Sequence, residues 1–188
     1  MTIRRYVLTG APGAGKTTLA EALAARGHVV VAEAATDVIA RGHRHQEQGQ
    51  EGAFTDAILA LQLERERAAT GPVQIFDRSP LCTLALARYL GITPSAALTA
   101  AAARAAGVYQ PAVFLVRPLG FITPTAARRI SYADALRFAG IHEDVYREHG
   151  FTLVDVPKAT VAERVTQVER LIGSPGSVPI SGPAAAVQ

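Results

Sequence analysis

The chain has 188 residues, of which 49% are hydrophobic and 19% are charged, so it can bury one folded core and is not a globally disordered chain. The single cysteine, Cys82, excludes an internal disulfide framework and a cysteine-rich zinc site. The formal charge of +3 is mild; it suits an anionic small ligand and does not indicate a nucleic-acid partner. No apolar run reaches about 18 residues and no signal-peptide pattern precedes the first strand, so we expect a cytoplasmic protein without a membrane partner.

Strand and helix patterns alternate from one end of the chain to the other. Short apolar runs predict five strands, at residues 6–9, 28–32, 73–76, 112–116 and 151–156, and the second run is continuous, as in a buried parallel strand. Periodic segments predict helices, at residues 15–27, 53–69, 79–90, 93–107, 131–149 and 160–172. This alternation predicts an α/β fold in which a five-stranded parallel sheet lies between layers of helices.

Local start and stop signals predict where two of these helices begin. Ser79-Pro80 supplies an N-cap followed by a proline at the first helical position. Thr93-Pro94 repeats that signal before an alanine-rich helix that we expect to be closed by Gly107. Both helices are therefore expected to begin at their prolines.

Two further helices are predicted from capping boxes, in which a hydroxyl caps the helix and an acidic residue follows three positions later. Ser131 with Asp134 opens the helix between the last two strands, and Thr160 with Glu163 opens the final one. The final helix is expected to bury one apolar stripe, formed by Val161, Val165, Val168 and Ile172. Residues 173–188 lack periodicity and are rich in Gly, Pro, Ser and Ala, so we expect a domain over residues 1–172 and a flexible tail.

The strongest motif in the chain is G-x-x-x-x-G-K-[ST], which follows the first predicted strand and opens the first predicted helix. It comprises Gly10, Ala11, Pro12, Gly13, Ala14, Gly15, Lys16 and Thr17. Its glycines let backbone N–H groups surround phosphate oxygens, and the helix N-terminus adds a favourable positive potential. Lys16 is expected to reach the β- and γ-phosphates and the Thr17 hydroxyl to ligate Mg²⁺, with Thr18 completing the nucleotide-binding set.

The third predicted strand ends in Phe76-Asp77-Arg78, beside the strand that carries this motif. An Asp at this place is the usual partner of Mg²⁺ in a phosphate-loop protein, although a simple helix-start role is the alternative. Arg78 is expected to point into the cleft between nucleotide and acceptor, where it could hold an anionic or hydroxyl-bearing group. The predicted site therefore extends beyond the phosphates.

Glu33 follows the second predicted strand, in the run VVVAEAA. Because the carboxyl ends of the strands line the ligand crevice in such sheets, Glu33 and Asp77 should face the same cleft. One can serve the metal while Glu33 accepts a proton from an attacking hydroxyl. The alternative is that Glu33 caps the following helix or pairs with an arginine.

The combination of GAPGAGKTT, VVVAEAA and FDRSP resembles the P-loop kinases of the nucleoside-kinase type and is also similar to small bacterial P-loop proteins of the AAA-type ATPase or kinase class. The resemblance covers residues 4–172. It implies the strand order 2-3-1-4-5, a general base at Glu33 and an acidic-Arg-Ser motif at Asp77, Arg78 and Ser79. The sequence departs from nucleoside kinases in carrying Asp at position 77, where those enzymes usually carry Glu.

The same resemblance places two further nucleotide contacts late in the chain. The segment TAARRI, residues 125–130, resembles the lid whose arginines neutralise charge in the transition state, with a solvated basic turn as the alternative. Adjacent arginines on a helix diverge by about 100°, so Arg128 is favoured over Arg129. Val156 and Pro157, after the fifth predicted strand, resemble the loop that lies against adenine.

These residues predict a phosphotransferase that uses ATP and Mg²⁺ to phosphorylate a hydroxyl of a small molecule. The guanine-reading motif N-K-x-D is absent from the sequence, so ATP is expected and GTP is the alternative nucleotide. The alternative function is a nucleotide-binding ATPase or GTPase that regulates a protein or lipid partner. The polar segment around His43 and His45 is expected to be an acceptor-side loop rather than a metal site.

Overall fold

The structure, a computed structural model, describes residues 3–42, 51–119 and 131–173, apart from the side chains of Glu51 and Tyr132. Within these ranges the chain forms five strands: β1 Arg4–Thr9, β2 Val29–Val31, β3 Val73–Asp77, β4 Ala112–Val116 and β5 Thr152–Val156. It also forms seven helices: α1 Lys16–Ala25, α2 Ala35–Ala40, α3 Glu51–Ala68, α4 Pro80–Leu90, α5 Ala96–Val108, α6 Tyr132–Glu148 and α7 Val161–Ile172.

The five strands form one parallel sheet in the order β2-β3-β1-β4-β5, which confirms the predicted order. In its register Leu8 of β1 lies beside Asp77, the last residue of β3, and Leu8 also pairs with Phe114 of β4. The chain therefore leaves β1 and β3 at the same end of the sheet, the end formed by the carboxyl ends of its strands. The phosphate loop, residues 10–17, and the Asp77-Arg78 pair meet at this end.

Alternate residues of the central strands face two separate helix layers. Val7 of β1 and Phe76 of β3 pack into an apolar cluster with residues of α3, α4, α5 and α6. Leu8 faces the opposite side, where it joins Leu19 of α1 and Val168 of α7. Burial on both faces explains why the central strands consist of continuous apolar runs.

Most predicted helix starts are confirmed, and one is wrong. Ser79 caps α4 by accepting from the Leu81 amide, and Thr160 with Glu163 forms a complete capping box at α7. In α5, however, the cap is Ser95, whose hydroxyl accepts from the Leu98 amide, so the helix begins after the Thr93-Pro94 pair. It also continues through Gly107 to Val108, because a glycine within a helix weakens it without ending it.

Other differences arise at the edges of the sheet. Strand β2 is three residues long and only half-buried at Val29 and Val30, because it is an edge strand rather than a central one. The short helix α2, which directly follows it, was not predicted, since six residues carry too little periodicity.

Helix α7 differs from its prediction in the residues that it buries. Val161, expected to complete the apolar stripe, is 41% exposed, and Arg164 is buried on that face instead. Among the residues described, no helix combines the length and the apolar character that crossing a membrane requires.

Candidate active site

The phosphate loop depends on glycine where the backbone is left-handed or in close contact. Gly10 has φ 132°, and a Cβ there would lie 2.4 Å from the carbonyl oxygen of Val116 at the end of β4. Gly15, with φ 85°, is the N-cap of α1 and has no side chain to occupy the first amides of that helix. Those amides and the helix N-terminus are therefore available to an anion.

Lys16 lies within this loop rather than on the protein surface. Its side chain is buried, and Nζ donates to the carbonyl oxygens of Gly10 at 3.0 Å and Ala11 at 2.7 Å. Burial, and then the nearby positive charge of Arg78, lowers the pKa of Lys16 to about 7 from its ordinary 10.5. A phosphate group in the loop would offset both effects, so the ammonium is poised to bind an anion.

Asp77 is joined to the phosphate loop through Thr17. The Thr17 hydroxyl donates to Oδ2 of Asp77 at 3.1 Å, whereas Oδ1 is buried without a hydrogen-bond partner among the described residues. Burial raises the pKa of the Asp77 carboxyl, although Lys16 and Arg78 act in the opposite direction. A buried carboxylate oxygen without a hydrogen-bond donor lowers the stability of the folded protein, and a cation or its bound water would relieve that cost.

This arrangement fits a magnesium ion held jointly by the protein and a nucleotide. Among the described residues, no group of three or more His, Cys, Asp or Glu side chains could hold a metal ion alone. Thr17 Oγ1 and Asp77 Oδ1 are side-chain oxygens that could serve such an ion beside the loop. Mg²⁺ commonly takes one or two protein ligands and completes its shell with phosphate oxygens and water.

Glu33 and Arg78 form an ion pair across the gap between β2 and β3. Nε of Arg78 donates to Oε1 of Glu33 at 2.5 Å, and the Thr36 hydroxyl donates to Oε2 at 3.2 Å. Burial would raise the pKa of Glu33, but Arg78 and then Lys16 outweigh it, and the pKa is lowered. Glu33 is thus an ionised carboxylate in the cleft, and the expected alternative, pairing with an arginine, is what the structure shows.

The backbone at Arg78 is strained in a way that directs its side chain. Arg78 has φ 80°, and among the described residues it is the one non-glycine residue with a positive φ. The turn places its side chain against Glu33. The last residue of β3 and the residue after it therefore serve different parts of the cleft, Asp77 the phosphate loop and Arg78 the region beyond it. Strain of this kind persists where surrounding contacts hold it, and it is common at functional sites.

His142 of α6 is a second anchor for Arg78 that sequence reasoning missed. It is completely buried, and its Nδ1 lies 2.8 Å from the carbonyl oxygen of Phe138. Because a carbonyl only accepts, Nδ1 carries the proton, and Nε2 can accept from Nη1 of Arg78 at 3.4 Å. The only signal in the sequence was a polar residue on the apolar face of a helix, which is not specific.

A chain of buried polar contacts underlies the same cleft. The Ser79 hydroxyl lies 2.6 Å from the hydroxyl of Tyr146, which lies 3.3 Å from Sγ of Cys82. That sulfur is 3.4 Å from the hydroxyl of Thr9, the residue before the phosphate loop. Cys82 is a buried core residue, and with Tyr146 it connects α4 and α6 to the end of β1.

Arg65 of α3 holds the segment that carries Glu33. Its Nη1 donates to the carbonyl oxygens of Ala32 at 3.1 Å and Glu33 at 2.5 Å, and Nη2 pairs with the carboxylate of Asp37. The main chain after β2 is therefore fixed by one side chain from a neighbouring helix.

The predicted base-side residues lie at the other end of the crevice. Val156 is completely buried at the end of β5, and its carbonyl oxygen accepts from the Arg117 amide, whereas Pro157 is exposed. Arg117, after β4, forms ion pairs with Glu143 at 2.7 Å and Asp155 at 2.8 Å. These partners belong to α6 and β5.

Some predicted site residues lie outside the described residues. These are the two candidate lid arginines, Arg128 and Arg129, and the segment around His43 and His45. The expected tail beyond Gly173 lies outside as well.

Comparison with known proteins agrees with this fold. A family model described as an AAA domain matches residues 5–164. No curated protein matches the sequence. Shikimate kinase from Acinetobacter baumannii, solved in complex with shikimate, superposes with a TM-score of 0.60 at 14% identity, over 91% of this chain and 93% of that one.

Two further solved kinases have the same fold. Deoxyadenosine kinase from M. mycoides, solved with products dCMP and dCDP, has a TM-score of 0.61 at 14% identity, covering 90% of this chain and 98% of that one. Thymidylate kinase from Ehrlichia chaffeensis has a TM-score of 0.57 at 14% identity, covering 91% and 99%. The chain therefore belongs to the AAA-domain family, with the fold of the P-loop kinases.

Proposed function

We propose that the protein is a phosphotransferase that uses ATP, or alternatively GTP, with Mg²⁺ to phosphorylate a hydroxyl of a small molecule. The observation that carries this proposal is the half-buried Glu33–Arg78 pair beside the phosphate loop. A nucleotide-binding switch needs the loop, Lys16 and Asp77, whereas a second carboxylate beside an arginine also offers a proton acceptor and a hydrogen-bond donor to an acceptor hydroxyl. Such a pair suits a hydroxyl acceptor.

On the nucleotide side, the chain supplies positioning and positive charge. The loop amides and Lys16 would bind the β- and γ-phosphates, and Thr17 and Asp77 would hold Mg²⁺. When bound, the ion supplies neutralisation of the charge on the phosphate oxygens. Val156 and Pro157 would border the base. Phosphoryl transfer asks mainly for this kind of positioning, so no covalent step by the protein is needed.

On the acceptor side, Glu33 would orient the hydroxyl and receive its proton. Each of its carboxylate oxygens already accepts one hydrogen bond and keeps a lone pair for another donor. Its lowered pKa makes it a weak base, which is adequate when the proton leaves late in a loose transition state. Arg78 would contribute Nη2, which donates to none of the described residues.

Arg128 and Arg129 complete the proposal as the residues that neutralise charge on the transferring group. Their support is the sequence alone, the TAARRI segment just before α6. Arginines supplied to phosphoryl transfer are worth about 10³-fold or more in rate.

The test is nucleotide turnover with and without hydroxyl-bearing compounds: nucleosides, polyols, sugars and aminoglycosides. ADP release would be followed by a coupled assay and product by mass spectrometry, with Lys16→Ala as the inactive control. Strong stimulation by one compound, with a mass gain of one phosphate, supports the proposal. Stimulation only by a protein or a lipid vesicle would instead support the regulator.

A further inference from the structure

Arg164 of α7 is a buried cation whose hydrogen bonds, among the described residues, all go to main-chain carbonyls. It is 3% exposed, and among the described residues no carboxylate forms an ion pair with it. Arginine is rarely buried without an acidic partner, because desolvating its charge is costly. The fold therefore retains this side chain for a reason other than a salt bridge.

The three carbonyls belong to three segments that surround the proposed nucleotide site. Nη1 donates to Ala14 in the phosphate loop at 2.8 Å, Nη2 to Arg117 after β4 at 3.0 Å, and Nε to Pro157 after β5 at 3.0 Å. The guanidinium is a rigid planar fork, so three simultaneous bonds fix these segments relative to one another. One side chain thus connects the phosphate end of the site to its base end.

The charge of Arg164 also lies directly behind the phosphate loop. Its Nη1 would be 3.4 Å from a Cβ placed on Gly15, the N-cap of α1. Burial lowers the pKa of Arg164, but an arginine remains charged in a protein. Its positive charge therefore adds to that of the helix N-terminus and Lys16 at the place where phosphates would bind.

We propose that Arg164 is a positioning residue of the nucleotide site. It aligns the phosphate loop with the base-side loop and places a positive charge behind the former, without touching the nucleotide. This inference rests on the proposed function only insofar as the site must bind a nucleoside polyphosphate. It assigns to α7, which carries none of the predicted site residues, control over nucleotide affinity.

Two probes separate alignment from charge. Inorganic tripolyphosphate would contact the phosphate loop alone, whereas ADP must meet the loop and the base-side segment together. Arg164→Lys keeps the charge and loses the fork, and Arg164→Met loses both. Arg170→Met, an exposed arginine on the same helix, is the matched control. Binding would be measured by calorimetry below the unfolding temperature of each variant.

We expect Arg164→Met to weaken the binding of both ligands about tenfold or more. Three carbonyls would lose their hydrogen-bond donor, and the phosphates would lose one nearby positive charge. Arg164→Lys should restore tripolyphosphate affinity to within about threefold of wild type while ADP remains about tenfold weaker. Arg170→Met should change neither the tripolyphosphate affinity nor the ADP affinity by more than about twofold.

Other results would overturn the inference. Folded variants that bind ADP as tightly as wild type would show that Arg164 is only a structural contact, and full recovery of ADP binding in Arg164→Lys would show that alignment plays no part. If Arg164→Met did not fold, the comparison of Arg164→Lys with Arg164→Gln would decide by the same criteria. A wild-type protein that binds ADP but phosphorylates no compound would contradict the proposed function alone, whereas one that binds no nucleotide would contradict both.

Discussion

Arg78 donates from Nε to the carboxylate of Glu33 at 2.5 Å, so the proposed base and the proposed acceptor-binding arginine form one unit. They follow different strands, β2 and β3, and lie 45 residues apart in the chain. Removing either would leave the other as a charge without its partner in a largely buried cleft. Effects of substitutions at the two positions should therefore not add.

Glu33→Gln tests the base while keeping the shape of the side chain. We expect ATP affinity to be nearly unchanged and acceptor phosphorylation to fall about 10²- to 10⁴-fold. Background hydrolysis should fall less, because it does not use the acceptor. Steady-state kinetics and ATP titration measure the two effects, and equal losses in binding and transfer would make Glu33 a structural residue.

His142 should matter through Arg78, and two amide substitutions distinguish its two ring nitrogens. Gln can place an oxygen near the position of Nε2, which accepts from Arg78, whereas Asn can replace only Nδ1, which faces Phe138. We expect His142→Gln to keep KM for the acceptor within about threefold and His142→Asn to raise it about tenfold. Equal acceptor KM values in two folded variants would contradict this role.

The buried charge of Lys16 should cost stability in the nucleotide-free protein. Its pKa is about 7 in the folded state and 10.5 when unperturbed, so the unfolded chain binds one more proton between these values. Stability then rises with pH across that window, and the cost is complete below about 7. Lys16→Met should therefore be more stable than wild type by about 1–3 kcal/mol at neutral pH.

Urea unfolding at several pH values measures this effect. The difference between wild type and Lys16→Met should narrow as the pH approaches 10.5. A constant difference across the whole range would mean that Lys16 keeps its ordinary pKa. Arg170→Met, at an exposed position, controls for the loss of one positive charge.

Arg128 lies outside the described residues, so its prediction rests on the sequence. Arg128→Ala should lower kcat with little change in ATP affinity, because charge on the transferring group develops only in the transition state. The loss should reach about 10³-fold if this arginine carries the full effect. If Arg128→Ala, Arg129→Ala and the double variant all transfer phosphate normally, the assignment fails.

Gly10→Ala and Gly107→Ala should change stability in opposite directions. The new Cβ at Gly10 would overlap the main chain of Val116. We therefore expect the free energy of unfolding to fall by about 2 kcal/mol or more and nucleotide binding to be lost. At Gly107 the Cβ would meet nothing within 4 Å, and alanine should stabilise α5 by about 0.5–1 kcal/mol. Thermal unfolding compares the two, and a destabilised Gly107→Ala would contradict this description of α5.

The parts of the site that were predictable depend on short stretches of sequence. The phosphate loop is one continuous motif between a strand and a helix, and the structure has both at the expected places. The strand order followed from resemblance to a fold family and is confirmed. Local patterns were sufficient here because the backbone conformation of the loop is set by its own glycines.

The rest depends on contacts between distant residues. No local pattern indicates that His142 lies near Arg78, 64 residues earlier, or that Arg164 reaches Ala14, 150 residues earlier. Position 161 was expected to be buried because it fits an apolar stripe, but it is the first residue of its helix and lies at the surface. Periodicity describes one face of a helix, and it does not say which polar residue on that face has found partners.

Strand β2 is the side of the cleft that we expect to open most easily. It is three residues long, β3 is the one strand with which it pairs within the described ranges, and Glu33 comes two residues after it. Among the described residues, Arg65 holds the main chain of this segment, and Arg78 and Thr36 bond the carboxylate. Because these contacts are few, local opening there should need far less free energy than opening at β1 or β4. Amide hydrogens of residues 29–34 should therefore exchange with solvent soonest within the sheet, and an acceptor that bridges Glu33 and Arg78 would slow them. The segment that recognises the acceptor is thus the one whose order the acceptor itself can change.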